Sequence, residues 1–142
     1  MSLFRIMDIG ASGLTAQRLR MQVVSANLAN AETTRTAEGG PYRRRVVVFE
    51  PTPGDPTRFA QALSRELDGV RVSAVEIDDA PPVLRHQPGH PDADAQGYVS
   101  YPNITLPAEM ADLMSAVRSY QASLTVVQSV RNLFRQTLNL LQ

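Results

Sequence analysis

Along the last third of the chain the apolar residues fall at Met110, Leu113, Val117, Tyr120, Leu124, Val127, Phe134, Leu138 and Leu141, with Arg131 at the one polar step. The steps alternate between three and four. That is the seam of a long amphipathic helix with a 3.5-residue repeat. A second row, Met114, Val126, Val130, Leu133 and Leu140, widens the stripe. Pro107 suits a helix start, because its missing N–H costs nothing there, and Glu109 complements the positive helix terminus. The first third repeats the pattern more weakly through Leu3, Met7, Gly10, Leu14, Gln17, Met21, Val24 and Leu28, with Ile6, Ile9, Gly13, Ala16 and Val23 beside it. Gly10 and Gly13 weaken a helix and let another backbone approach. The stripe stops at Asn27-Leu28-Ala29-Asn30, where side-chain amides compete with the helical ladder.

Between these ends the text changes. All 10 prolines lie from Pro41 to Pro107, and proline removes a helical donor and clashes with the preceding turn. Tyr42 to Phe49 is β-branched and basic and reads as a strand closed by Pro51. Gly69 to Ile77 alternates and reads as a second. Thr57 to Leu67 has the spacing of a short helix. Ala80 to Pro102 carries Pro81-Pro82, Pro88-Gly89-His90-Pro91 and Gly97, which predicts extended chain and tight turns. The fold class expected is mainly α: long N- and C-terminal helices packed as a coiled-coil-like pair, with a small Pro-rich extended or β middle region. The units expected are an N-terminal helix over 1–33, a middle region over 34–106 and a C-terminal helix over 107–142.

A helix from Pro107 to Leu141 is roughly 50 Å long at 1.5 Å per residue. A compact domain of this size is about 30 Å across. Such a helix projects or packs along other chains. The two stripes first serve each other, but a middle of this size does not cover their lateral faces, and uncovered apolar stripes mark interaction surfaces. The residues expected to carry the packing are Leu113, Val117, Tyr120, Leu124, Val127, Phe134 and Leu138 on the C-terminal helix. On the N-terminal one they are Leu14, Val24 and Leu28, with Asn27 and Asn30 fixing the chain's exit by hydrogen bonds to backbone.

Composition narrows the chemistry. The chain has 142 residues, 14 basic and 14 acidic side chains, and no cysteine or tryptophan. A balanced charge gives no long-range field toward nucleic acid or anionic lipid. Without cysteine there are no disulfides, thiolate metal sites or thiol nucleophiles. Every basic residue is arginine, so Schiff-base and phosphate-loop lysines are absent. Arg5-Ile6-Met7-Asp8 breaks any secretory apolar run at once, and no stretch reaches the length of a membrane span.

Two clusters invite a functional reading. His86, His90, Asp92 and Asp94 have the ligand types of a zinc or manganese site; the plainer reading is a loop fixed by its prolines and by side-chain bonds to backbone. Arg43-Arg44-Arg45, with Arg35, Tyr42 and Phe49 near, suggests phosphate contact. On a strand, however, alternate side chains face opposite ways, and a solvated strand or salt bridges to a neighbouring subunit is the plainer reading. No nucleophile elbow or nucleotide-binding glycine pattern occurs. The expectation is a protein that is no enzyme, with no cofactor, no metal, no nucleic acid and no small-molecule substrate. A soluble helical adaptor or export chaperone is the alternative that the stripes alone allow.

The run Ser25-Ala26-Asn27-Leu28-Ala29-Asn30-Ala31-Glu32-Thr33-Thr34 resembles the signature of the flagellar rod and hook axial proteins. Gly39-Gly40-Pro41-Tyr42-Arg43-Arg44, Pro88-Gly89-His90-Pro91-Asp92-Ala93-Asp94-Ala95, Gly97-Tyr98-Val99 and Arg118-Ser119-Tyr120-Gln121-Ala122 narrow the resemblance to the proximal-rod branch. Glu32 and Ser123 depart from the family's usual residues, and roughly 52–79 carries no resemblance. The resemblance implies a structural protein of the bacterial flagellum, exported by the flagellar type III apparatus without a cleaved signal peptide. It implies helical polymerisation with other rod subunits and copies of itself, terminal helices forming a tube around the export channel, and an outer middle element. Its partners would include the export apparatus and the motor-ring junction, its place the basal-body rod in the periplasmic space, and its work the passage of torque.

Overall fold

The computed structural model describes residues 3–52 and 69–139. The short helix expected over Thr57–Leu67 lies outside them. Two long helices frame the chain: α1, Leu3–Ala29, and α2, Leu106–Asn139. Between them come β1 (Arg45–Pro51), β2 (Val70–Ile77), β3 (Val83–His86) and β4 (Tyr98–Tyr101). The architecture is mainly α with a small antiparallel β region.

α1 ends at Ala29 because the chain there supplies substitutes for the next helical donors. The Asn30 backbone N–H reaches both the Ala26 and Asn27 carbonyls, and its side-chain amide donates to Ala26 O at 2.8 Å. Carbonyls of the last turn are thereby satisfied without further helix. The Thr33 hydroxyl then donates to Asn30 Oδ1, and Gly39 and Gly40, both at positive φ, turn the chain back toward β1.

β1 and β2 pair antiparallel from Arg45↔Ile77 to Pro51↔Val70, with one extra residue, Ser73, bulged between Ala74 and Val72. This hairpin lies along α1 and is tied to it at both ends. Ser12 Oγ accepts the Val70 N–H at 3.1 Å while donating to Ile9 O. At the far end Asn27 holds the backbone of Arg45. From Ser12 to Asn27 the helix rises about 22 Å, and β1 spans about 20 Å, so ladder and helix match in length. Gly69 sits so close that an added Cβ would lie 2.6 Å from Ser12 Oγ.

The stretch expected to be extended chain and turns, Ala80–Pro102, contains a second hairpin. β3 pairs β4 antiparallel from Val83↔Tyr101 to His86↔Tyr98. Its four-residue strands are shorter than the usual strand signal, and the prolines between them hide the pairing. β4 contributes Val99 and Tyr101 to the buried set, beside Ala16, Val23, Val24, Ala31, Ala116 and Val130.

α1 and α2 run antiparallel. The Phe4 and Phe134 rings meet edge-on at 5.5 Å, Gly10 faces Val127, Gly13 faces Ser123, and Arg20 pairs with Asp112. The α2 positions at this seam are Glu109, Leu113, Ala116, Tyr120, Ser123, Val127, Val130 and Phe134, stepping by four and three. The seam differs from the predicted one in one of its two rows. Leu113, Tyr120, Val127 and Phe134 belong to it. Met110, Val117, Leu124 and Arg131 give way to Glu109, Ala116, Ser123 and Val130, each one residue earlier. Ala116 is fully buried, whereas Leu124 is 37% and Leu138 54% exposed. One reason is close approach: Gly10 and Gly13 bring α2 so near that Ser123, not Leu124, takes the place opposite Gly13.

Gly10 tests that reading. An added Cβ there would lie 2.7 Å from Val127 Cγ2. Gly10→Ala gains helix propensity of about 1 kcal/mol but overpacks a close contact at roughly 1–3 kcal/mol. The expected net result is a loss, read as a lower urea midpoint. In a Val127→Ala background the same substitution is expected to stabilise.

Candidate functional site

The ends of α1 and β2 and the starts of β1 and α2 come together, and one polar cluster ties all four. Asn27, fully buried, uses its entire side-chain amide. Nδ2 donates to Arg45 O at 2.8 Å and to Glu109 Oε2 at 3.0 Å. Oδ1 accepts from the Arg45 N–H at 3.0 Å and from the Tyr42 hydroxyl at 3.1 Å. Glu109, 1% exposed, takes its second partner from Arg44, whose Nε lies 2.7 Å from Oε1. Arg44 reaches on to Asp78 at 3.3 Å. A buried carboxylate is tolerated only when paired and hydrogen-bonded, and both conditions are met. Sequence reading assigned Glu109 to the helix terminus alone. The available signal was a carboxylate one step from Met110, inside an apolar stripe.

The electrostatics follow the contacts. Burial opposes the Arg44 charge, but hydrogen bonds and attraction from Glu109 and Asp78 outweigh it and hold the guanidinium above its ordinary value. Burial also raises the Tyr42 phenol, with the nearby Arg45 opposing. The Ala80 N–H, then Arg44, holds the Asp78 carboxyl below the ordinary value. A carboxyl lowered in the folded state favours folding above its unfolded pKa, and that contribution disappears as pH falls through the lowered folded value. Acid titration is therefore expected to lower the urea midpoint less steeply in Asp78→Asn than in the parent.

Of the basic run, only Arg44 is drawn inward by this cluster. Arg44 pairs with Glu109 and Asp78, Arg43 with Asp79 at 2.6 Å, and Arg45 stands 5.8 Å from the Tyr42 ring centre. Arg43 and Arg45 remain exposed, in keeping with a solvated strand, while Arg44 makes its ion pairs within the chain. The His86–Asp94 cluster is likewise engaged locally. His86 packs edge-on against Tyr98, and His90 Nδ1 accepts the Asp92 N–H. Asp92 accepts from the Thr34 hydroxyl, and Asp94 from the N–H groups of Gln96 and Tyr98. Gly97, at φ +84°, closes the turn. Among the described residues no three His, Cys, Asp or Glu side chains stand together as metal ligands, and no helix is long and apolar enough to cross a membrane.

The expected packing residues separate into three environments. Val24 and Asn27 are buried. Leu14, Leu28, Asn30, Leu113, Val117, Tyr120, Val127 and Phe134 are half-buried, and Leu124 and Leu138 are exposed. At about 100° per residue, the exposed apolar side chains of α2 form two flanks on either side of the seam. One holds Met110, Met114 and Leu124, continued by half-buried Val117; the other holds Val126 and Leu133. Met114 is 59% and Leu133 56% exposed. Nothing in the described chain covers either flank, and this is the arrangement of a helix with more than one neighbour.

Comparison with known proteins agrees with this geometry. Residues 7–35 match the family model described as flagella basal body rod protein, and residues 95–140 match that of the flagellar basal body rod FlgEFG protein C-terminal. The flagellar basal-body rod protein FlgC of Borreliella burgdorferi is 43% identical, covering 100% of this chain and 99% of its own length. That of Salmonella typhimurium is 42% identical, over 99% of this chain and 98% of its own. That of Bacillus subtilis is 38% identical, over 99% of each. With α1, the polar cluster and α2 all inside these full-length matches, the chain belongs to the FlgC family of flagellar basal-body rod proteins.

Proposed function

We propose that this structural rod subunit builds the proximal part of the flagellar rod, polymerising helically with copies of itself and other rod proteins through α1 and α2. The observation that carries the reading is the pair of uncovered flanks on α2. They lie on different sides of the helix and differ in composition. A two-fold dimer needs one self-complementary patch, whereas an open helical array needs two unlike patches that meet head to tail. Met110, Met114, Val117 and Leu124 of one copy would pack against the second flank or the α1 flank (Leu14, Leu28) of a neighbour. Leu138, near the α2 end, would extend the same contacts, giving a coiled-coil-like lattice of terminal helices. Packed interiors have low compressibility, so such a lattice passes torque with little loss.

In this reading the chain leaves by the flagellar type III apparatus without a cleaved leader, assembles in the periplasmic space, and meets the export apparatus and motor-ring junction at the rod base. The family resemblance supports these points. The shared name of the relatives gives no support to an adaptor or export chaperone. The deciding experiment is mass spectrometry of purified basal bodies from cells carrying a tagged copy. Several copies per basal body are expected; retention of the chain in the cytoplasm at low stoichiometry would return the adaptor reading.

A further inference from the structure

The two helices leave a choice of alignment. Among the described residues α2 exceeds α1 by seven (34 against 27), one full heptad. With Asn27 against Glu109 and Phe4 against Phe134, most of that surplus lies at the C-terminal end of α2. Sliding α1 one heptad that way keeps it on α2 along most of its length. Gly13 would then face Val130, Gly10 would face Phe134, and Asn27 would face Ala116. Apolar and small residues still oppose one another along most of that seam. What the slid form loses is polar: the Asn27 amide meets a methyl group, Glu109 and Arg44 are left behind, and the half-exposed Arg20–Asp112 pair is parted. Each buried polar group left unpaired weighs against the slid form by about fivefold or more.

We propose that the Asn27–Arg44–Glu109 cluster is a register lock, selecting the one alignment of α1 on α2 in which the β1–β2 hairpin also lies along α1, before the chain meets any neighbour. The cluster is suited to the task because it joins three segments at once. Asn27 grips the backbone at the start of β1 and the carboxylate at the start of α2 with the same amide. Arg44, in the residue before β1, grips that carboxylate from the other side. A slip of α1 against α2 therefore also tears the hairpin from its anchor, while Ser12 at the other end of the ladder would hold it back. A single buried polar contact is known to fix alignment in paired helices at some cost in stability. This inference concerns the chain alone and does not depend on the polymerisation reading.

The chain has no cysteine, so alignment can be read by disulfide trapping. A Cβ built on Gly13 lies 3.8 Å from Ser123 Cβ, the separation found in disulfides. Gly13→Cys with Ser123→Cys reports the native alignment, and Gly13→Cys with Val130→Cys reports the slid one. Each pair is placed in the full-length parent and in an apolar-cluster variant, Asn27→Leu with Arg44→Met and Glu109→Leu. Intramolecular cross-linking of the purified monomer is followed by mobility on non-reducing gels, and helix content by circular dichroism. In the parent the native pair is expected to outyield the slid pair by at least about tenfold. In the apolar-cluster variant the two yields are expected to come within about threefold at unchanged helix content. The proposal is overturned if that variant still forms only the native cross-link, which would make the glycine contacts or the Arg20–Asp112 pair the source of register. It is equally overturned if the variant loses its helix and both cross-links, or if the parent forms neither.

Discussion

Cells carrying Leu124→Asp are expected to make and fold this chain at normal levels and not to swim. Leu124 is 37% exposed and stands outside the internal seam, so a carboxylate there reaches water in the free chain and costs folding about 1–2 kcal/mol, from lost helix propensity and partial burial. In the rod the same flank would be covered by a neighbour. Burying an unpaired carboxylate costs several kcal/mol, and helical symmetry repeats that cost at every equivalent contact. Soft-agar swimming and electron microscopy of basal bodies read the outcome. Leu124→Met, which keeps the volume and the apolar surface, is expected to swim. A motile Leu124→Asp strain with normal rods would remove this flank from the assembly surfaces.

The second large effect is on folding. Arg44→Ala is expected to destabilise the chain by about 3 kcal/mol, at the lower end of what breaking a buried ion pair costs, since Arg44 is itself about one-third exposed. The loss comes less from the missing contact than from what stays behind. The Glu109 carboxylate, nearly inaccessible to water, would retain only the Asn27 amide. Equilibrium urea unfolding measures it. Removing both charges together, in Arg44→Met with Glu109→Leu, is expected to restore more than half of the lost stability, because no buried charge is then left without a partner. A double variant no more stable than Arg44→Ala would show that the cluster's contribution is not electrostatic.

How far the sequence discloses this molecule depends on the range of the interaction concerned. The two helices are legible because their cause is local: long proline-free stretches with apolar residues every three or four positions. β1 and β2 are legible for a similar reason. The row of the seam is not. Ranking residues by apolar size points to Met110, Leu124 and Leu138, but the close approach at Gly13 puts Ser123 at the seam in place of Leu124, and that depends on which glycine faces which turn. The polar cluster is harder still, since Asn27 and Glu109 are 82 positions apart and neither neighbourhood announces the other. Asn27 stood out as a chain-exit residue through its position at the end of a stripe, yet its carboxylate and phenol partners could come only from the folded chain. The β3–β4 pairing was hidden by strands of four residues, too short to show alternation above their turn-rich surroundings.

The position of α1 between its two neighbours has a consequence for genetics. Held by α2 on one side and by the hairpin on another, α1 is the braced member of the molecule, whereas α2, apart from the Arg44–Glu109 pair at its start, leans on α1 and keeps its remaining sides open. Lesions in the two helices should therefore sort into different phenotypic classes. Those in α1 should surface as scarce, protease-sensitive protein, and second-site suppressors should arise elsewhere in the same gene. Those on the open sides of α2 should yield abundant protein that fails to build, with suppressors arising in the genes of the proteins it touches.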